Sequence, residues 1–206
     1  MIDGNTLLLL RGEPLADASW YKRAITNIGV TSSAEQSKFG GKSLKFDGNS
    51  VLLLDSFDFG SGDFTIDWWE YAETGAQTRF SSYYPSDYSY GGLMLGYSGK
   101  GTYWSTEVSH WDIMNQQMLF DLTPGEWVHW AFVRSETMVR TFRNGVKFAS
   151  IAIPADTTVY TNPAVKMAIG GYRQTSMAPW KGYIDEFRIS RVARWTRNFT
   201  PPDRQY

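Results

Sequence analysis

Hydrophobic and polar positions alternate in one short segment after another along the chain, and almost nowhere do they recur with a helical period. In DFTIDWWEY, Phe64, Ile66 and Trp68 fall on one face and Thr65, Asp67 and Trp69 on the other, which predicts a strand. In EWVHWAFVRS, Val128, Trp130 and Phe132 alternate with His129, Ala131 and Val133. Both sets are fairly apolar, as in a central strand covered on its two faces. MVRTFRNGVKFASIAI breaks at Asn144-Gly145, a pair suited to the two positive-φ positions of a type I′ hairpin turn. SLKFDGNSVLLL reads as a second strand pair turning at Asp47-Gly48-Asn49, and AVKMAIGGY and GYIDEFRIS supply further strands. The segment from Ser190 to Trp195 has room for one helical turn with Ser190 as its N-cap, and nothing reaches three turns.

Many short strands separated by Gly, Asp, Ser and Pro predict an all-β fold, a two-sheet antiparallel β-sandwich of the jelly-roll kind. Residues 1–206 are expected to form a single domain, with 190–206 as a C-terminal turn and extended tail. A strand as late as Ile184 to Ile189 fits if it pairs beside the N-terminal run Leu7 to Leu10, closing the fold with its ends.

Composition narrows the function. The net charge is −1 and 20% of residues are charged, so no electrostatic case exists for nucleic acid or an acidic membrane surface. The chain has no cysteine, which excludes disulfides and thiolate chemistry. The Leu7 to Leu10 run is too short for a membrane span and lacks the basic flank of a signal peptide. Nine Trp and twelve Tyr are more than one core needs, and both residue types favour binding surfaces. They concentrate between Arg79 and Asp112, where Tyr83, Tyr84, Tyr88, Tyr90, Trp104 and Trp111 are candidate ligand-binding residues among Ser, Gly and Asp. Such rings can stack on sugars or pack on a neighbouring subunit, and strands with one face in the core account for about half of them.

The runs KFGGKSLKFDG, GDFTIDWWEY, PGEWVHWAFVRS, FRNGVKFAS, MAIGGY and KGYIDEFRISRVARWTRNFTPP keep their order over nearly the whole chain. Together they resemble the concanavalin A-like lectin/glucanase superfamily in its laminin G-like form. The resemblance implies a sandwich that binds carbohydrate or protein, often with calcium, and only sometimes hydrolyses glycans. Calcium would fall at Asp17 in LADASW and Asp185 in YIDEF, with Ser19 as an additional oxygen. The alternative is that Asp17 caps a turn and Asp185 pairs with an arginine. The closing motif, IDEFRIS followed by ARWTRNFTPP, is similar to the ending of laminin G-like domains in bacteriophage structural proteins. It implies a virion protein of head or tail, with other virion proteins as partners, cell-surface glycans as possible ligands, and a homo-oligomer such as a trimer.

Hydrolysis is argued against on the residues. Retaining glycosidases need two carboxylates about 5 Å apart on one face. By alternation Asp67 and Glu70 point to opposite faces, as do the adjacent Asp185 and Glu186. Only His110 and His129 are available to a triad, and no nucleophile-elbow motif is present. Glu70 shares a face with Phe64, Ile66 and Trp68, so it needs Arg134 or Arg140 as a partner, or a twist near Tyr71 that leaves it partly wet. In the tail, Arg191, Arg194, Trp195 and Arg197 are candidate interface residues, with a solvated surface as the alternative. The sequence therefore predicts a non-enzymatic virion structural or decoration protein with a glycan-binding face, or else a carbohydrate-binding adhesin.

Overall fold

A computed structural model describes residues 2–82, 92–105, 112–159, 165–172 and 178–206. The strands are β1 (Thr6–Leu10), β2 (Ile25–Ile28), β3 (Thr31–Ser33), β4 (Ser43–Asp47), β5 (Val51–Asp55), β6 (Phe64–Ala72), β7 (Phe80–Ser81) and β8 (Gly92–Tyr97). They continue as β9 (Gly101–Ser105), β10 (Met114–Met118), β11 (Trp127–Ser135), β12 (Met138–Arg143), β13 (Val146–Ala152), β14 (Lys166–Ile169) and β15 (Lys181–Ser190). They form two antiparallel sheets, and no helix occurs among the described residues. The eight-stranded sheet runs β13-β12-β11-β6-β15-β4-β3, with β1 also on β15; the seven-stranded sheet runs β10-β9-β8-β7-β14-β5-β2. The predicted jelly-roll sandwich is therefore the fold.

The long last strand lies along β6 by one edge. Its other edge is shared end to end by β4, from Lys181 to Ile184, and β1, from Phe187 to Ser190. The chain's ends thus close the larger sheet, as the late apolar run required. The hairpin of β12 and β13 turns through Asn144 and Gly145 at φ 48° and 77°, the left-handed pair of a type I′ turn. Gly145 has a second constraint: a Cβ there would lie 1.9 Å from the Phe199 carbonyl oxygen of the tail.

Two expectations change. The strands of SLKFDGNSVLLL are present, but β4 and β5 do not pair with each other; β4 joins β15 and β3, whereas β5 joins β14 and β2. The Asp47 turn carries the chain from one sheet to the other, so that Leu44 and Phe46 meet Leu52 and Leu54 in one core. The segment after Ser190 is not helical either. Its hydroxyl accepts the Arg194 Nε–H at 2.7 Å and caps no helix.

Trp68, Trp130, Phe64, Phe132, Phe120 and Trp104 fill the space between the sheets. Phe64 and Phe132 stack at 5.9 Å, and Trp68 lies 5.7 Å from Phe120. Into this apolar layer the chain sets one ion pair. Glu70 of β6 receives both forks of Arg79, Nε and Nη2, at 2.7 Å each, and the indole N–H of Trp68 at 2.7 Å. Arg79 precedes β7 of the other sheet and also donates to the carbonyls of Gly99 and Asp121. Glu70 is therefore dry and fully paired. Its partner is neither Arg134, which donates to the carbonyls of Thr157 and Ala155, nor Arg140.

Removing one member of a buried bidentate pair strands the other charge, at a cost of about 3–5 kcal/mol. Arg79→Met is expected to lower unfolding free energy by that amount in urea titration. Glu70→Leu with Arg79→Met should recover most of the loss, and a double variant no better than the single one would count against the pairing as the cause.

Candidate binding surfaces

Alternation along β6, β11 and β15 sends one set of side chains into the core and leaves Asp67, Trp69, His129, Ala131, Val133 and Arg188 on the outer face of the larger sheet. That face is buried too. Arg188 grips Asp67 with Nε and Nη2 at 3.0 and 3.1 Å, a bidentate pair. Burial alone would raise the Asp67 carboxyl, but the charge of Arg188, with His129 beside it, brings it down to about 2. His129 Nε2 stands 3.5 Å from Asp67 Oδ2, and burial outweighs that carboxylate in holding the imidazole below its ordinary value.

Between Asp185 and Arg188 the register against β6 shifts, with Glu186 at φ 51°. This β-bulge turns both Asp185 and Glu186 to the outer face, where simple alternation predicts opposite faces. Glu186 pairs with Arg11 at 3.4 Å and accepts the main-chain N–H of Tyr206 at 3.0 Å. Burial, reinforced by the charge of Glu186, raises the Asp185 carboxyl to about 6 although its oxygens accept the N–H groups of Lys38, Phe39 and Glu186. Asp185 thereby holds the 36–40 loop across the sheet, where Lys38 Nζ sits 3.9 Å from the Trp69 ring.

The tail covers the rest. Trp195 and Phe199 stack at 3.9 Å and 5°, both edge-on to His129, and pack on Ala131, Val133 and Phe142. Arg194 bonds Asp3, Thr6 and Ser190 of its own chain, and Arg191 donates to the Gly4 carbonyl. Of the four candidate interface residues, Arg194 and Trp195 are thus engaged within the chain, while Arg191 and Arg197 are exposed.

The calcium positions do not fit a cation. Asp17 accepts from the N–H groups of Leu9, Ser19 and Arg23 and from the Ser19 hydroxyl, all between 2.8 and 3.0 Å. Asp185 is likewise occupied by N–H donors, which point their hydrogens where a metal would need lone pairs. Asp17 therefore caps its loop. Among the described residues no group of three or more His, Asp or Glu is placed to hold a metal.

Tyr83, Tyr84, Tyr88, Tyr90 and Trp111 lie outside the described residues. Trp104 does not belong on a binding face. Opposite Leu93 in β8 it points inward, 5.9 Å from Phe64, and its indole N–H donates to the Thr158 carbonyl at 2.9 Å. Its neighbour Tyr103 faces out instead, against Tyr97, Tyr172 and Met94. Among the described residues the most exposed aromatic pair is one that the strand pattern passed over, Trp20 and Tyr21, at 69% and 46% exposure. The Asp17 bonds fix their loop, Tyr21 N–H donates to the Ser19 hydroxyl, and Arg23 lies 4.8 Å from the Tyr21 ring. The run Ser-Trp-Tyr-Lys-Arg outside any alternating segment was the available signal.

A family model described as the concanavalin A-like lectin/glucanases superfamily, of the laminin G type, matches residues 46–196. The chain belongs to that superfamily. A search of curated proteins gives no match. Among solved structures, domain 4 of AbnA, a GH43 extracellular arabinanase from Geobacillus stearothermophilus solved with arabinotriose, is similar at 17% identity and TM-score 0.65. The match covers 92% of this chain and 93% of that one. The receptor-binding domain of botulinum neurotoxin C/D mosaic serotype is similar at 12% identity and TM-score 0.66, covering 93% of this chain and 49% of that one. A structure described by the dependence of botulinum neurotoxin type C entry on two ganglioside molecules matches at 12% identity and TM-score 0.63, over 92% and 48%. The chain thus spans about half of the toxin chains, and likenesses at these identities establish the shared fold.

The raised Asp185 carboxyl gives a signed pH effect. Its ordinary value is 3.8 and its folded value about 6, so the native state holds the proton more tightly. This contribution to stability is complete below the unfolded value and is lost as pH rises through about 6, a change on the order of 2–3 kcal/mol. Denaturation curves across that window should fall less steeply with pH for Asp185→Asn than for the parent. Equal slopes would show that another group dominates.

Proposed function

We propose that this domain is a non-enzymatic recognition module that binds glycans through exposed aromatic rings. The observation that carries the reading is the Trp20 and Tyr21 pair, exposed on a loop that Asp17 fastens by accepting the Ser19 and Arg23 N–H groups and the Ser19 hydroxyl, while the Leu9 N–H of β1 anchors Asp17 itself. An indole held open to solvent offers an apolar face to the C–H groups of a sugar ring, and the next residues in the chain, Lys22 and Arg23, carry N–H groups able to donate to sugar hydroxyls. The arabinanase domain solved with arabinotriose, which this chain matches over 93% of its length, supports the reading as a similar fold that holds a sugar. Catalysis finds no support in the described residues. Asp67, Asp185 and Glu186 share a face, but Arg188, Arg11 and main-chain N–H groups occupy them beneath the tail.

The setting we infer is a virion, with the domain as a structural or decoration protein of head or tail. Support for this finer reading is the resemblance of the closing IDEFRIS strand and its ARWTRNFTPP extension to bacteriophage structural proteins. Particles lacking the protein should recover it from solution, and failure to rebind would remove the virion assignment.

On a glycan array the purified protein should give reproducible hits that Trp20→Ala weakens by about tenfold or more. Thermal unfolding should stay nearly unchanged, because the ring is exposed and its loss perturbs stability by no more than about 0.5 kcal/mol. A blank array, or hits indifferent to both Trp20→Ala and Tyr21→Ala, would overturn the glycan reading.

A further inference from the structure

The end of the described chain is seated as a ligand would be. The Tyr206 ring lies 3.5 Å from the Arg188 guanidinium carbon, and its hydroxyl donates to Asp67 Oδ2 and stands 3.5 Å from His129 Nε2. Its main-chain N–H donates to Glu186 at 3.0 Å, and its carbonyl accepts from Arg11 Nη2. Ring face, phenol and both main-chain groups are each read by a different side chain, three from the sheet and one from Arg11 just beyond β1. Burial first, and then the Asp67 charge, push the phenol well above its ordinary value, so it donates its hydrogen. We propose that Arg11, Asp67, Glu186 and Arg188 form a capture site for a tyrosine in an extended segment, which this chain fills with its own Tyr206 and which accepts the same segment from a second copy.

The segment before Tyr206 favours exchange. The chain is fastened as far as Asn198, which accepts from Lys147 N–H, and Phe199, which donates to the Gly145 carbonyl at 2.9 Å. From Thr200 to Gln205 no main-chain hydrogen bond to the sheet is made, and Asp203, Arg204 and Gln205 are exposed. Beside the plug opens a cleft of about 460 Å³, lined by Asp3, Arg188, Arg194, Trp195, Pro202 and Tyr206. Every bond made by Tyr206 is therefore to residues that any copy presents, and between Thr200 and Gln205 the segment meets its own domain through side-chain contacts, Pro201 at Gly145 and Gln205 at Gly40, with no main-chain hydrogen bond among the described residues. Exchange of such a segment joins copies without building a new surface. The short connection gives the attached tail a high effective concentration, so the second copy competes only when copies are crowded together.

The test uses the full chain carrying Tyr206→Ala, with its site empty, and the synthetic hexapeptide PPDRQY. Calorimetry should show saturable one-to-one binding, with affinity about tenfold or more weaker for the peptide ending in alanine and for the parent chain, whose own tail competes. Tyr206→Phe, which keeps the ring over Arg188 but loses the hydroxyl, should bind the peptide with intermediate affinity. Light scattering of the parent at rising concentration should reveal a dimer that the Tyr206→Ala chain does not form. No peptide binding by the folded variants overturns the capture site. A parent chain that stays monomeric throughout overturns the second copy as its occupant.

Discussion

The outer face of β6, β11 and β15 is the constraint around which the rest of the chain is arranged. These central strands present a packed inner face to the second sheet and a second face that carries Asp67, His129, Arg188 and Trp69 next to Ala131 and Val133. Such a face is too apolar along β11 to stay wet and too charged along β15 to be covered by hydrocarbon alone. The chain covers it in two pieces matched to that division. Trp195 and Phe199 lie over the apolar half, and the 36–40 loop and Tyr206 supply N–H, O–H and ring partners to the charged half. The position of the last strand, the arginines after it and the bulge at Glu186 all follow from that task.

Inside the sandwich the Glu70–Arg79 pair sets the relation of the two sheets. A purely apolar interface tolerates sliding, because hydrophobic contact is non-directional. A bidentate pair with both partners buried has a single good geometry and fixes where β6 stands relative to β7 and to the Gly99 and Asp121 carbonyls. The pair contributes registration rather than a large net stabilisation, since desolvating two charges offsets most of their attraction.

Aromatic residues divide by the strand face on which they fall. Trp104 and Tyr103 are adjacent, yet one is a core ring donating to a main-chain carbonyl and the other an outward ring among tyrosines. Trp20 belongs to no strand, and its exposure is set by the loop that Asp17 folds. A carboxylate expected to ligate calcium thus fastens the loop that exposes Trp20 and Tyr21.

Much of the fold was legible in the sequence because strand alternation and turn chemistry are local. Phe64, Ile66 and Trp68 announced an inner face, Asn144-Gly145 announced its turn, and the late IDEFRIS run implied pairing with the first strand. Apolar residues on both faces of β11 even signalled that something must cover it. Which segment did so was decided by tertiary structure, because Trp195, Phe199 and Tyr206 reach partners far away in sequence. The same holds for Glu70, whose inner face was readable from alternation but whose full burial and partner Arg79, next to β7 of the opposite sheet, were not. Asp185 and Glu186 show the sharpest division. Alternation gives adjacent residues opposite faces, and one left-handed residue in a bulge cancels that rule where three-dimensional packing demands both carboxylates on the same side.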